Sequence, residues 1–148
     1  MHTRYLEDFE VGQTFETRAA SLSQSQIMDF AMLYDPQLIH TDIAGAKDGP
    51  FGGIIASGLH TFCIGFRLFL DLGLINKSNL GGPGIDELRW TRPVRPGDTL
   101  TSTVEVVEVR ESQSKPDRGS VRFLFTVANQ TGETVCTFDS TSILKRRP

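Results

Sequence analysis

Cysteine is scarce in this sequence, with two in 148 residues, Cys63 and Cys136. They stand far apart in apolar surroundings, without the spacing of a metal site or the density of a disulfide framework. The expectation is a pair of reduced core thiols. Long hydrophobic runs are also missing. The most apolar stretch, Leu59 to Leu74, contains Arg67 and Asp71 and falls short of the roughly 20 apolar residues that cross a bilayer. The opening residues, Met1-His2-Thr3-Arg4-Tyr5-Leu6-Glu7-Asp8, lack the apolar core of a signal peptide. A soluble cytoplasmic protein with no membrane partner is therefore predicted. Neither sign of charge dominates. The net charge of −3 gives no global attraction to nucleic acid, and the one basic cluster, Lys145-Arg146-Arg147, reads as a solvated chain end. No Gly-rich phosphate loop joins a strand to a helix, so no nucleotide cofactor is expected. No repeat, low-complexity tract or linker divides the chain. With 39% hydrophobic and 22% charged residues, residues 1–148 are expected to form one domain with a self-sufficient core.

The patterns that are present alternate between two periods. Thr14 to Ala20 reads as a short strand entered through Gly12. Ser23 and Gln26 then form a capping box, with Leu22 and Ile27 placed as a hydrophobic staple. Ile27, Phe30, Ala31 and Tyr34 recur at i, i+3, i+4 and i+7, predicting an amphipathic helix. Pro36 disfavours helical geometry at Asp35, so this helix should end at Tyr34 or Asp35. Residues 36–56 read as irregular, punctuated by glycines, with a helical turn around Thr41 to Lys47. A loop of that length inside a compact domain points to function. A second helix should run from Ser57 to about Leu72, with Gly73 as its C-terminal cap. It is apolar on nearly every side, which predicts burial. From Gly84 onward the period is two. Gly84 to Val94, Thr99 to Val109, Ser120 to Asn129 and Thr134 to Leu144 are predicted strands. Arg95-Pro96-Gly97-Asp98 and Gln130-Thr131-Gly132 mark turns, and Ser112 to Gly119 a polar hairpin loop. Consecutive strands favour an antiparallel sheet, here wrapped around one apolar helix. The fold class is α+β, distinct from a βαβ nucleotide-binding unit.

Two groups of residues can do chemistry. On one unbroken helix Asp35 and His40 would point about 140° apart, because five residues advance an α-helix by about 500°. The break at Pro36 lets both side chains converge. A carboxylate and an imidazole around one water make an acid–base pair, although a structural hydrogen bond is the commoner use of such neighbours. The second group is Phe51-Gly52-Gly53-Ile54-Ile55-Ala56-Ser57-Gly58-Leu59-His60-Thr61. Ser57 and Gly58 open the apolar helix, where free backbone N–H groups and the helix dipole can stabilise an anion. Ser57 also reads as a plain N-cap, and Gly58 as a site of close packing.

Together these residues resemble a known family. Asp-x4-His with Gln37 and Ile39-His40-x-Asp42, then Phe-Gly-Gly-x-x-Ala-Ser-Gly-x-His-Thr, then Trp90-Thr91-Arg92-Pro93-Val94-Arg95-Pro96-Gly97-Asp98, resemble the MaoC-like dehydratases and (R)-specific enoyl-CoA hydratases. The resemblance runs from about Asp8 to Ile143. It implies a hotdog fold, an antiparallel sheet around a long central helix, working as a homodimer or a dimer of dimers. It implies Asp35 and His40 as catalytic acid and base and the Gly58 N–H as oxyanion donor. Gln37, Ile39, Phe51, Gly53 and Ser57 are the implied substrate-binding residues. The implied substrate is an enoyl or 3-hydroxyacyl thioester of coenzyme A or of an acyl carrier. Coenzyme A enters only as part of that substrate, and no other cofactor or metal is expected. Phe62, Phe66 and Ile39 are candidates to limit the acyl tunnel. The family often has proline at the position of Leu38, whereas here Pro36 comes two residues earlier, so a different loop path is expected.

Other readings of the same residues differ in chemistry. A metal site from His40, Asp42 and His60 matches no ligand spacing. His60 reads as a packing residue or a hydrogen bond to the loop. Arg89, Trp90 and Arg92 read as solvated or salt-bridged strand residues, although an arginine near a dimer edge can meet coenzyme A phosphates. A hotdog thioesterase usually carries its carboxylate on the central helix, where the nearest acidic residue, Asp71, lies at the far end. A non-catalytic acyl-thioester-binding subunit is the third reading.

Overall fold

The computed structural model describes residues 2–148. A single 3-10 turn at Leu6–Asp8 precedes two short strands, β1 (Thr14–Glu16) and β2 (Ala20–Ser21). The single strand expected over Thr14 to Ala20 is thus divided in two, and both parts pair antiparallel with the same long strand. Helix α1 (Gln24–Tyr34) follows, then α2 (Leu38–Thr41), α3 (Ile43–Lys47) and α4 (Gly58–Leu70). Strands β3 (Asn79–Gly81), β4 (Ile85–Trp90), β5 (Thr99–Glu111), β6 (Arg118–Ala128) and β7 (Thr134–Lys145) complete the chain.

The capping box forms as the sequence predicts. Gln26 N–H donates to Ser23 Oγ at 3.2 Å, and Ser23 N–H donates to Gln26 Oε1 at 2.9 Å. The strip of small β3 was not legible, because Asn79-Leu80-Gly81 has neither length nor alternation.

The strands form one antiparallel sheet in the order β1-β5-β6-β7-β3, with β2 also on β5 and β4 also on β7. Strand β4 does not pair with β5, its successor in the chain. The intervening residues contain Pro93 and Pro96, which cannot donate to a ladder, and Gly97 with φ +88°. They carry the chain across the start of α4, where Ala56 N–H donates to Val94 O at 2.8 Å. This crossing brings residues 91–94 beside the helix start.

The sheet curves around α4. Phe69, Phe123, Phe125 and Phe138 are fully buried between them. The Phe125 and Phe138 rings stack at 4.4 Å, and Phe69 meets Phe123 at 5.0 Å. Helix and sheet approach closely at Gly65, whose carbonyl accepts from Ser102 Oγ at 2.9 Å; a Cβ there would press on Val127. This is the α+β hotdog arrangement.

Two expectations change. Helix α4 is covered on one side only: Leu68 and Phe69 are buried, but Leu59 is 44% exposed and Cys63 is exposed. One curved sheet can cover only part of a helix. Cys63 is therefore a surface residue of this chain, whereas Cys136 is buried and desolvation pushes its thiol up to about 11. The basic end is solvated as expected, with Lys145 and Arg147 exposed, and its arginines also make surface ion pairs. Arg146 pairs with Glu7 at 3.1 Å and Glu111 at 2.8 Å, and Arg147 pairs with Asp8. Exposed pairs of this kind stabilise by at most about 1 kcal/mol each, but they occupy Arg146 and Arg147. Among the described residues no helix is long and apolar enough to cross a membrane.

Candidate active site

The site begins where α1 stops. Asp35 is the C-cap of α1, with φ −157° and ψ 68°, and its N–H still reaches Ala31 O at 2.8 Å. Gln37 then caps α2, which contains His40. Leu38 occupies the first helical position of α2, where proline is readily accommodated because that N–H has no helical partner.

This break turns both side chains to one place. His40 Nε2 lies 3.3 Å from Asp35 Oδ2. Ser57 Oγ–H donates to the same oxygen at 2.6 Å, and Gln37 Nε2–H donates to Asp35 Oδ1 at 2.7 Å. The Ser57 hydroxyl, and after it the Gln37 amide, hold the Asp35 carboxyl below its ordinary value, with His40 a smaller contribution. His40 is buried at 4% exposure, and its Nδ1 sits 2.6 Å from Ile55 O. A carbonyl only accepts, so Nδ1 must carry a proton. Nε2 faces Asp35 Oδ2 at hydrogen-bonding distance, the contact through which His40 helps to hold the carboxyl down. Both residues line one cavity, where a single water can contact the polar atoms of each.

Ser57 and Gly58 bring the helix start to the same place. Ser57 Oγ caps α4 by accepting from Leu59 N–H at 3.2 Å while donating to Asp35. No partner for Gly58 N–H is present among the described residues. Asp35, Gln37, His40 and Gly58 line a cavity of about 500 Å³, with Phe51, Leu59 and Trp90 as its apolar walls and Thr91 to Val94 along one side.

Of the residues named from sequence, Ile39 and Gly53 are not on this cavity. Ile39 contributes its carbonyl, which accepts from Ile55 N–H at 3.1 Å. Ser57 acts through Asp35 rather than as a wall. Phe62 and Phe66 do not limit the cavity, because they turn into the core against Phe138 and Phe125. The walls that sequence reasoning missed are Leu59 and Trp90. The Trp-Thr-Arg-Pro-Val segment was visible as a motif, but its contact with the helix start depends on the crossing from β4 to β5.

Asp42 caps α3 through Gly45 N–H at 3.0 Å, and no three His, Cys, Asp or Glu residues among those described converge to hold a metal. Arg89 pairs with Glu87 on β4, whereas Arg92 lies just past the end of that strand, pairs with Glu133 and lines the cavity. Asp71 is held by Arg18 and Arg67 at the far end of α4. His60 is a packing residue. Its ring stacks on Phe30 at 4.5 Å, and its buried Nδ1 has no partner among the described residues. Desolvation lowers its pKa from the ordinary 6.5. The unfolded chain then binds a proton that the fold resists, so His60 favours folding above pH 6.5 and that contribution is lost as pH falls through its lowered value. His60→Phe is expected to narrow the gap between urea midpoints at pH 8 and pH 5; an unchanged gap would show that His60 protonates freely in the fold.

Comparison with known proteins follows the same lines. The chain is 33% identical over 141 residues to the uncharacterized protein YdeM of Bacillus subtilis (strain 168), covering 95% of this chain and 99% of that one. It is similar in structure to the MaoC-like dehydratase of Rhodospirillum rubrum, with a TM-score of 0.90 and 37% identity over 98% of this chain and 99% of that one. It also resembles the R-hydratase PhaJ1 of Pseudomonas aeruginosa, with a TM-score of 0.77 and 26% identity over 97% and 86% of the two chains. The MaoC like domain matches residues 8–129, the span that holds the Asp35–His40 break, the Ser57-Gly58 helix start and the segment crossing it, and the chain belongs to that family.

Proposed function

We propose that this protein adds water to a trans-2-enoyl thioester, or removes it from the (R)-3-hydroxyacyl thioester, with coenzyme A as the carrier. The observation that carries this reading is the convergence of Asp35 Oδ2 and His40 Nε2 at 3.3 Å beside a helix-start N–H that has no partner among the described residues. Family membership supports the class of reaction.

In this reading a water bound by both groups attacks Cβ. The pair takes one proton from the water and returns one to Cα, so its own charge ends as it began. Electron density moves through Cα to the thioester oxygen, and the Gly58 N–H, backed by the positive end of α4, stabilises the enolate. Asp35 and His40 supply both proton transfers, so the substrate's coenzyme A is the only prosthetic chemistry required. In this reading the protein acts as a homodimer, with β4, which pairs with β7 alone among the described strands, as the edge along which two sheets join.

Incubation with crotonyl-CoA and with longer or branched enoyl-CoAs tests this. Loss of the conjugated enoyl absorbance with formation of the (R)-3-hydroxyacyl-CoA is expected. Release of free thiol would instead mean thioester hydrolysis. Thermal stabilisation by acyl-CoA with no turnover of any ester would make the chain a binding subunit.

A further inference from the structure

The donor invoked for the enolate belongs to a glycine, and glycine is the residue least able to hold its own peptide planes. Its absence of a side chain has a visible cause: a Cβ at Gly58 would fall inside the Trp90 indole. The same indole donates from Nε1 to Gly58 O at 2.7 Å. On the other side of Gly58, Ser57 is tied to Asp35 at 2.6 Å. The Gly58 backbone is thus gripped from both flanks, by Ser57 before it and by Trp90 after it. Trp90 is itself well anchored, since it ends β4 in register with the buried Cys136 of β7. Its remaining surface, 49% exposed, faces the cavity and solvent.

We propose that Trp90 is a positioning residue for the reaction: its indole packs against the Gly58 Cα and its N–H holds the Gly58 carbonyl, which fixes the Cα that joins the two peptide planes and with it the place of the Gly58 N–H beside the thioester oxygen. This inference rests on the hydration reading above. Misplacement of a transition-state donor lowers turnover far more than ground-state binding. Loss of the indole N–H should therefore appear in kcat and leave KM nearly unchanged.

The chain has a single tryptophan, which permits a clean test. Growth on benzothienylalanine replaces Trp90 alone by a ring system of nearly the same shape with sulfur in place of N–H. Crotonyl-CoA hydration and thermal unfolding are measured for the normal protein, this analogue and Trp90→Phe. The expected result is a fall in kcat of about tenfold or more in both altered proteins, with KM within about twofold. The analogue should unfold within a few degrees of the normal protein. Normal kcat in the analogue would overturn the inference and leave Trp90 as a packing residue. A rise in KM with kcat unchanged would also overturn it, making Trp90 only a wall of the acyl site. Absence of hydration by the unaltered protein would overturn the hydration reading itself, and this inference with it.

Discussion

Asp35→Asn is expected to lower kcat/KM for enoyl-CoA hydration by roughly 10³-fold, about 4 kcal/mol of barrier, within the range for loss of a general acid–base group. Asparagine keeps the shape and can still accept the Ser57 hydroxyl, so the fold should persist, as thermal unfolding at pH 7 will show. The pH dependence of stability separates the two states further. The Ser57 and Gln37 hydrogen bonds keep the Asp35 carboxyl below the ordinary 3.8. A group depressed in the fold stabilises above its unfolded value and loses that contribution as pH falls through its folded value. Asp35→Asn should therefore flatten the stability curve only below about pH 4. A flattening at neutral pH would mean that the Asp35 carboxyl is not held as described.

Gly58→Ala is the second large effect. The added methyl cannot share space with the Trp90 indole, so either the ring leaves or the helix start shifts. Both outcomes separate the Gly58 N–H from the oxygen it serves. A loss of about 10²-fold or more in kcat is expected, the scale of removing one oxyanion donor. Displacement of the ring has its own signal, because the only tryptophan then loses its 2.7 Å bond and its emission should shift to the red. Gly84→Ala is the matched control, with nothing within 4 Å of the added methyl. Unchanged kcat in Gly58→Ala would remove this N–H from the mechanism.

Local chemistry made much of this legible in advance. The Ser23–Gln26 box and Pro36 set both ends of α1, and the Pro36 break predicted that Asp35 and His40 could meet. Ser57 and Gly58 were readable as a helix start because capping is written in adjacent residues. Long-range pairing was not readable. Residues 84–94 look like one strand and 95–98 like a hairpin turn, yet the strand ends at Trp90, the prolines and Gly97 carry the chain across the helix, and β4 lies on β7 instead of β5. Trp90 therefore looked like an ordinary strand residue, while its indole reaches Gly58, 32 positions away. The uniform apolarity of α4 suggested full burial, but one sheet covers one face, which leaves Leu59 and Cys63 outward. The Arg146 and Arg147 pairings depend on how the last strand passes the first turn, a contact separated by 139 residues in the chain.

The pair itself is tested most directly by a double-mutant cycle. Crotonyl-CoA hydration is measured for the unaltered protein, Asp35→Asn, His40→Gln and the double variant. If the two groups hold one water and act together, each single substitution should cost about 10³-fold and the double no more than the larger single loss. Losses that multiply across the two positions, or a single variant that retains most of the rate, would contradict a shared role for Asp35 and His40.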